Sequence, residues 1–304
     1  MYLSGFNIAI NTIMGKIQFA AILILLILQA SVVTSQPVHI GVFAGTAAYK
    51  GDINDKLFPE IKQLKTAFGI SANYEVSEKL FIRAGAFVAK VSGADSLASS
   101  SYLKLRNLSF QSTITELSFL GEWYLFNLYE RSYSPYLFVG FSVFHFNPLT
   151  YGSNGQMVFL QPLSTEGQGL PGYASKPYKL TQLAIPFGGG LKFAFNDDFR
   201  IGIEICIRKL FTDYLDDVST DYADPADLLS AKGALSVAFS YRGDEVAGGS
   251  PAYPAKGTQR GSKKYKDLYY TAGLHFTYRM GGNNSNNGIF GGNKRKMGCP
   301  GNPQ

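Results

Sequence analysis

Between Phe199 and Leu210 the chain reads FRIGIEICIRKL. Phe199, Ile201, Ile203, Ile205 and Ile207 occupy every second position, with Arg200, Gly202, Glu204, Cys206 and Arg208 between them. Successive side chains of a strand point to opposite faces, so one face here is continuously apolar and the other carries three charges. The pattern recurs in about eight segments, with almost no helix available to cover their apolar faces. An all-β chain that alternates apolar-out and polar-in has the signature of a barrel in lipid. A soluble β-sandwich is the rival. It would bury the isoleucine face against a second sheet and would place no constraint on loop lengths.

The N-terminus fits export. Lys16 precedes an apolar run, Phe19 to Leu28, and Val33, Thr34 and Ser35 stand just before Gln36. A basic flank, a short apolar core and a small residue at the cleavage point describe a secretory signal peptide. The run is too short to span a bilayer as a helix, which takes ~20 apolar residues, so a membrane anchor is the weaker alternative. Residues 1–35 are therefore expected to be removed, with Met14 as a second possible start and Gln36 as the mature terminus. No cysteine lies near the cleavage point, which argues against a lipoprotein.

Composition agrees with a membrane barrel. Aromatic residues make up 14% and there are 33 glycines, while charged residues reach only 16%, against ~25% in soluble proteins. No later window approaches the ~20 apolar residues of a helical span. The formal charge of +6 comes without a basic helix or an aromatic–basic platform, so nucleic-acid binding is not expected. Cys206 in a strand and Cys299 in the tail form neither a disulfide framework nor a zinc site.

The expected strands run Val38–Ala48, Lys65–Val76, Leu80–Val91, Gln111–Leu125, Tyr136–Asn147, Leu180–Phe195, Phe199–Leu210 and Leu268–Met280. Odd connections are long, notably Pro148–Lys179 and Thr212–Asp267, and even ones are short. Long loops outside and short periplasmic turns are the asymmetry of an outer-membrane barrel. Closure also leaves no edge, which lipid does not tolerate. The fold expected is an all-β, eight-stranded antiparallel transmembrane β-barrel over residues 36–280, with a flexible periplasmic tail over 281–304 and a monomeric state.

Parity assigns the lumen. Arg83 alternates with Ile82 and Ala84, Glu116 and Glu122 oppose Leu117, Phe119 and Trp123, and Lys192 opposes Leu191 and Phe193. An eight-stranded barrel is just wide enough to be filled by its own side chains. Unpaired charges there would be costly, so Arg83, Arg200 and Arg208 are expected to pair with Glu116, Glu122 and Glu204. With Lys192 these form a lumen ion-pair network; an ion pathway is the competing reading. Tyr74, Tyr124, Tyr133, Tyr136, Tyr269, Tyr270 and Tyr278 are expected in interfacial girdles.

Catalysis finds little support. Of His39, His145 and His275 only His145 lies near the loops, and no nucleophile signature accompanies it. No enzyme activity, cofactor or resident metal is expected. Gly188-Gly189-Gly190 lies within a strand, so it reads as close backbone approach or a kink rather than a phosphate loop. Six aspartates, Asp213, Asp216, Asp217, Asp221, Asp224 and Asp227, open the fourth outer loop. Asp213, Asp216 and Asp217 are weak candidates for calcium, but their spacing misses the calcium-loop pattern. A solvated acidic loop or a docking surface for a basic partner fits better. Its later basic residues, Arg260, Lys263, Lys264 and Lys266, offer partners within the same loop.

Three segments carry a family resemblance: GVFAGTAAYKGDIN, LAIPFGGGLKFAFNDDFRIGIEICIRKLFTDYLDDVST, and the CP near the terminus. They resemble the PorG-like outer-membrane barrels of Bacteroidota, over nearly the whole mature chain. The long glycine-rich fourth loop and the Asn-rich tail depart from that pattern. The resemblance implies a component of the type IX secretion system that ties a periplasmic ring of PorK- and PorN-like proteins to the outer membrane. Contacts would then come from the periplasmic side: Ser77, Glu78 and Lys79, the connection Asn127 to Ser134, Asn196, Asp197 and Asp198, and Lys294, Arg295 and Lys296 in the tail. A surface barrel whose long loops bind a host molecule, a glycan or another cell is the alternative. A small pore is a third class.

Overall fold

The computed structural model describes residues 37–54, 56, 61–264 and 266–280. The expected signal peptide, and the tail with Lys294, Arg295, Lys296 and Cys299, lie outside the described residues. All described residues belong to the compact unit Pro37–Gln304.

Alternating apolar and polar residues produce long strands: β1 Val38–Lys50, β2 Lys65–Ser77, β3 Leu80–Ala94, β4 Ser109–Tyr124, β5 Tyr133–His145, β6 Leu149–Tyr151, β7 Met157–Phe159, β8 Thr181–Ala194, β9 Phe199–Leu210 and β10 Leu268–Met280. Eight of them close in the order β1-β2-β3-β4-β5-β8-β9-β10, every pair antiparallel, with β10 returning to β1. The closing register runs unbroken from Val38↔Met280 to Lys50↔Leu268. The fold is a closed eight-stranded antiparallel β-barrel. Even β9, at 12 residues, rises ~28 Å across a bilayer if tilted ~45°.

The isoleucine face points outward, as parity requires. Leu117 (65% exposed), Leu137 (62%), Phe141 (73%) and Ile205 (57%) form a band on the outer wall. Large apolar side chains this exposed over a whole barrel girth have one compatible solvent, the hydrocarbon of a membrane.

Two differences from the expected strands have local causes. Strand β5 starts at Tyr133 because Tyr133, Ser134 and Pro135 pair only with β8, and pairing to β4 begins at Tyr136↔Tyr124. On its β4 side Pro135 meets only Leu125, just past the end of β4, whose N–H donates to the Pro135 carbonyl at 3.0 Å, so its missing N–H falls at a strand end. The third outer loop folds back as the hairpin β6–β7, which touches β4 through Gln111↔Leu149.

The outer loops also hold helix that alternation does not signal. Short α1, Ser101–Arg106, lies in the second loop, and α2, Pro225–Lys232, and α3, Ala234–Ser240, lie in the fourth. Asp224 starts α2 by accepting from the Ala226 N–H at 2.8 Å, with Pro225 at the first helical position. Gly233, at φ 87°, lets the chain turn from α2 into α3. Loop residues Phe146, Leu163, Tyr178, Leu215, Val218 and Phe239 then pack with the strand-tip residues Tyr49, Phe110, Ile114, Phe144 and Leu210 in one apolar cluster. The loops form a cap over the barrel mouth.

Candidate functional site

The lumen is built from the inward parity of each strand, and its side chains stack in three levels. Nearest the periplasmic mouth, His39 bonds Glu75 at 3.1 Å and the Tyr129 hydroxyl donates to the same carboxylate at 2.6 Å. Arg200 lies 4.9 Å from the Tyr129 ring centre and 5.7 Å from that of Phe81. Arg279 also lies over Tyr129, at 5.6 Å.

In the middle level Arg83 donates to both oxygens of Glu204, at 3.0 and 2.8 Å, and contacts Glu122 as well. Tyr136 donates to Glu204 at 2.7 Å and Tyr124 to Glu122 at 2.9 Å. Lys192, fully buried, bonds His275 at 3.0 Å, and His275 reaches Ser71 at 3.1 Å with its other ring nitrogen. Two cations thus stand against two carboxylates, and both tyrosine hydroxyls occupy further carboxylate lone pairs. Charge-assisted bonds of this kind offset the desolvation of buried ions.

At the upper level Arg208 bonds both oxygens of Glu116, at 3.1 and 3.0 Å, and Thr271 at 2.8 Å. Tyr269 donates to Glu116 too. A cavity of about 40 Å³ separates the middle and upper levels, lined by Ser71, Arg83, Glu116, Glu204 and Arg208 among others. It is large enough for a water or two with several polar partners. Above it the fully buried Ile114, Phe144 and Phe146 fill the mouth.

Arg83, Glu116, Glu122, Lys192, Glu204 and Arg208 therefore converge. The expected pairing of Arg200 with a glutamate of this group is corrected. It stands opposite Thr277 on β10 and Ala194 on β8, one level below Glu204, and stacks on aromatic rings instead. The girdle assignment is corrected for Tyr124, Tyr136 and Tyr269, which are buried in the lumen as hydroxyl donors to its carboxylates. Tyr74, Tyr133 and Tyr278 are outward and exposed. Glycine in β8 makes room for this interior: a Cβ on Gly188 would stand 2.7 Å from the Phe138 ring, and one on Gly190 would stand 2.9 Å from Tyr136.

The cap holds a second buried polar system. Arg106 grips Asp95 through two bonds of 2.7 Å. Arg260 donates to Glu166 at 2.9 Å, and Glu166 also accepts from the Ser219 and Thr220 N–H groups at 2.9 and 3.0 Å. Asp217 accepts from Thr165 at 2.6 Å and Tyr178 at 2.7 Å. Burial pushes its carboxyl up to about 6 against the pull of Arg260. Asp52 is raised to about 6, again chiefly by burial. Asp216 and Asp267 both face the Tyr49 hydroxyl and are held well above the usual carboxylate range by burial, and by negative neighbours that include Asp52 for both.

The expected solvated acidic loop is thus corrected for half of its aspartates: Asp213, Asp216 and Asp217 are almost fully buried, whereas Asp221, Asp224 and Asp227 are partly exposed. Their donors differ, Ser219 for Asp213, Tyr49 for Asp216 and Tyr178 for Asp217. Among the described residues no three His, Cys, Asp or Glu side chains converge on a metal position. The loop's later half closes on its first half through Lys263–Asp221 at 2.6 Å and Arg260–Asp217 at 3.9 Å.

At the opposite end, the turn with Ser77, Glu78 and Lys79 is tied to the β4–β5 connection by Asn127 donating to Glu78 at 2.9 Å. In the β8–β9 turn, which also carries Asp197, Asn196 accepts from the Asp198 and Phe199 N–H groups at 2.9 and 2.6 Å. This is a side-chain-closed turn. Glu75, Glu166 and Arg106 stand outside the sequence reading, and His275 figures there only as a histidine far from the loops. Glu75 could have been found from sequence, since it alternates with Tyr74 and Val76 just as Arg83 does with its neighbours.

A family model described as a domain of unknown function, DUF6089, matches residues 17–162, just under half of the chain. No curated protein matches the chain. Among solved structures it is similar to Neisserial surface protein A, at 9% identity and a TM-score of 0.39, covering 79% of this chain and 96% of that one. It is similar to Ail, the attachment invasion locus protein of Yersinia pestis, at 11% identity and a TM-score of 0.39, covering 81% and 99%. It is similar also to outer membrane protein W of E. coli, at 11% identity and a TM-score of 0.33, covering 81% and 100%.

Proposed function

We propose that this protein is a closed, non-enzymatic barrel of the bacterial outer membrane, exported by a signal peptide, that acts through contacts with other proteins. The observation that carries the reading is the filled lumen. Two levels of paired charges and an apolar cap leave a cavity of about 40 Å³ where a conduit would have to run. A barrel so filled has its wall, its outer cap and its periplasmic rim left to work with. His39 bonds Glu75, His275 lies between Lys192 and the Ser71 hydroxyl deep in the lumen, and His145 bonds Thr181 at 3.1 Å.

The finer reading is that the barrel anchors the periplasmic ring of the type IX secretion system, with PorK- and PorN-like partners and no nucleic acid. The sequence resemblance supports it, and the rim formed by Ser77–Lys79, Asn127 and Asn196–Asp198 offers the surface. Crosslinking from native outer membranes, with mass spectrometry, tests it. Links from Lys79 to ring proteins are expected; recovery of the barrel alone while the ring survives refutes the anchoring role.

One observation favours surface binding instead. The second, third and fourth loops are built into an ordered cap with its own buried ion pairs, Arg106–Asp95 and Arg260–Glu166. Deleting Gly243 to Lys266 should spare secretion under anchoring and abolish binding under this reading. Bilayer recordings of the intact protein are expected to stay closed.

A further inference from the structure

The outer wall is not uniform at the level where the lipid band ends. On β2, β3 and β4 the last large lipid-facing side chains are Phe68, Val88 and Leu117. Two residues further up, the outward positions on β2 and β3 are Thr66 and Lys90, and Lys90 pairs with Thr113, four residues above Leu117 on β4. The next outward pair is Ser92↔Gln111. At 3.3–3.4 Å per residue these steps lie about 7 and 14 Å along the strands from the hydrocarbon edge, the depth of lipid head groups.

A groove of about 210 Å³ opens at that level, where β6 joins β4. Its lining includes Lys62, Lys65, Ser92, Ser109, Gln111 and Tyr151. Lys90 stands below it on the same outward face, exposed. Among the described residues no carboxylate lines the groove, and Lys62, Lys65 and Lys90 form no ion pair. For Lys90, on β3, the nearest acid in sequence, Asp95, is buried and held by Arg106. The outward residues of β2, β3 and β4 above Val88 are otherwise Thr, Ser, Ala and Gln. Three ammonium groups with hydroxyl and amide donors, beside an exposed tyrosine at head-group depth, match a ligand with phosphates on a sugar.

We infer that this groove binds the phosphorylated glucosamine head group of an outer-leaflet glycolipid, with Lys62, Lys65 and Lys90 taking the phosphates. Val88 and Phe68 stand directly below to meet its acyl chains. The inference rests on the outer-membrane reading, because only there does this end of the barrel face a leaflet of phosphoglycolipid. It gives the wall a defined lipid contact in place of a uniform annulus.

The test uses the full mature chain folded into phosphatidylcholine nanodiscs containing a few per cent bisphosphorylated lipid A, with retained lipid counted by native mass spectrometry. Retention of lipid A is expected to exceed that of dephosphorylated lipid A at least tenfold. Lys62→Glu/Lys65→Glu/Lys90→Glu should abolish the preference, and Lys62→Arg/Lys65→Arg/Lys90→Arg should keep it. Equal retention of both lipids, or an undiminished preference in the Glu variant, overturns the inference. Failure of the wild-type chain to insert as a heat-modifiable barrel would instead refute the membrane-barrel reading beneath it.

Discussion

Arg83 is the one cation in the middle of the lumen that serves two carboxylates, so its removal has a calculable consequence. Arg83→Met keeps most of the stem volume but leaves Glu122 and Glu204 facing each other in a buried site. Breaking a buried pair by deleting one partner costs ~3–5 kcal/mol, because the other ion is left uncompensated. At ~1.4 kcal/mol per tenfold, that is roughly 140- to 4,000-fold in the folding equilibrium. The carboxylates still accept from Tyr136 and Tyr124, which places the loss toward the lower end. Adding Glu122→Gln leaves one buried carboxylate, Glu204, with the one remaining buried cation of that level, Lys192, so the double variant should recover to within ~2 kcal/mol of the parent. Reversible urea unfolding in lipid vesicles, read by tryptophan emission and by gel mobility, measures both. A loss below 1 kcal/mol for Arg83→Met, or a double variant no more stable than the single, would refute the view that paired charge stabilises this interior.

Three further outcomes follow from the same geometry. Phe141→Arg on the exposed outer wall should cost ~2–4 kcal/mol in the same vesicle titration, as a cation at the bilayer midplane does, whereas Thr113→Arg near the head groups should cost under ~1 kcal/mol. Gly190→Val should destabilise by ~1–3 kcal/mol or more, because its side chain meets the Ile203 backbone carbonyl as well as the Tyr136 ring; an unchanged midpoint would mean that the β8–β9 pair and the ring can both give way. Asp52 and Asp217, each raised to about 6, bind protons more tightly folded than unfolded. Their contribution to the cap is therefore full below pH ~4, fades as pH rises through about 6, and is lost above it. Corrected for the base-catalysed intrinsic rate, amide protection in the fourth loop should be roughly tenfold greater at pH 5 than at pH 7.5. Lower protection in acid would show that the carboxylates work as ions.

Alternation made the barrel legible because charged residues mark the inner face. In β9, Arg200, Glu204 and Arg208 fix which isoleucines meet lipid, and in β3 and β4 Arg83, Glu116 and Glu122 do the same. Strand β5 has no such marker. Its inward Tyr136, Phe138 and Phe144 and its outward Leu137, Val139 and Phe141 are all apolar or aromatic, so Tyr136 is readable as a girdle residue until β4 and β8 set its face. Parity also gives direction without depth. Arg200 and Arg83 share the inner face, yet partners depend on register around a tilted wall, and Arg200 falls one level short of Glu204. The cap was legible least. Burying Asp216 and Asp217 requires Tyr49, Tyr178 and Arg260 from three distant segments, and such long-range donors leave no local pattern.

The placement of the ion pairs bears on why this lumen is charged at all. In the closed order, β9 lies diametrically across from β3 and across from one neighbour of β4. Arg83 of β3 reaches Glu204 of β9, and Arg208 of β9 reaches Glu116 of β4. The pairs therefore brace the barrel across its width, where no backbone hydrogen bond runs. Slippage of β9 by one residue would send Glu204 and Arg208 into lipid and Ile203 and Ile205 into the lumen. Slippage by two would keep the faces but part Arg83 from Glu204 and Arg208 from Glu116 together. An apolar filling would penalise neither shift as strongly, because lipid and an apolar core reward the same side chains. Paired charges inside an apolar sleeve thus specify both face and register, and they do so by filling the space through which a pore would have to pass.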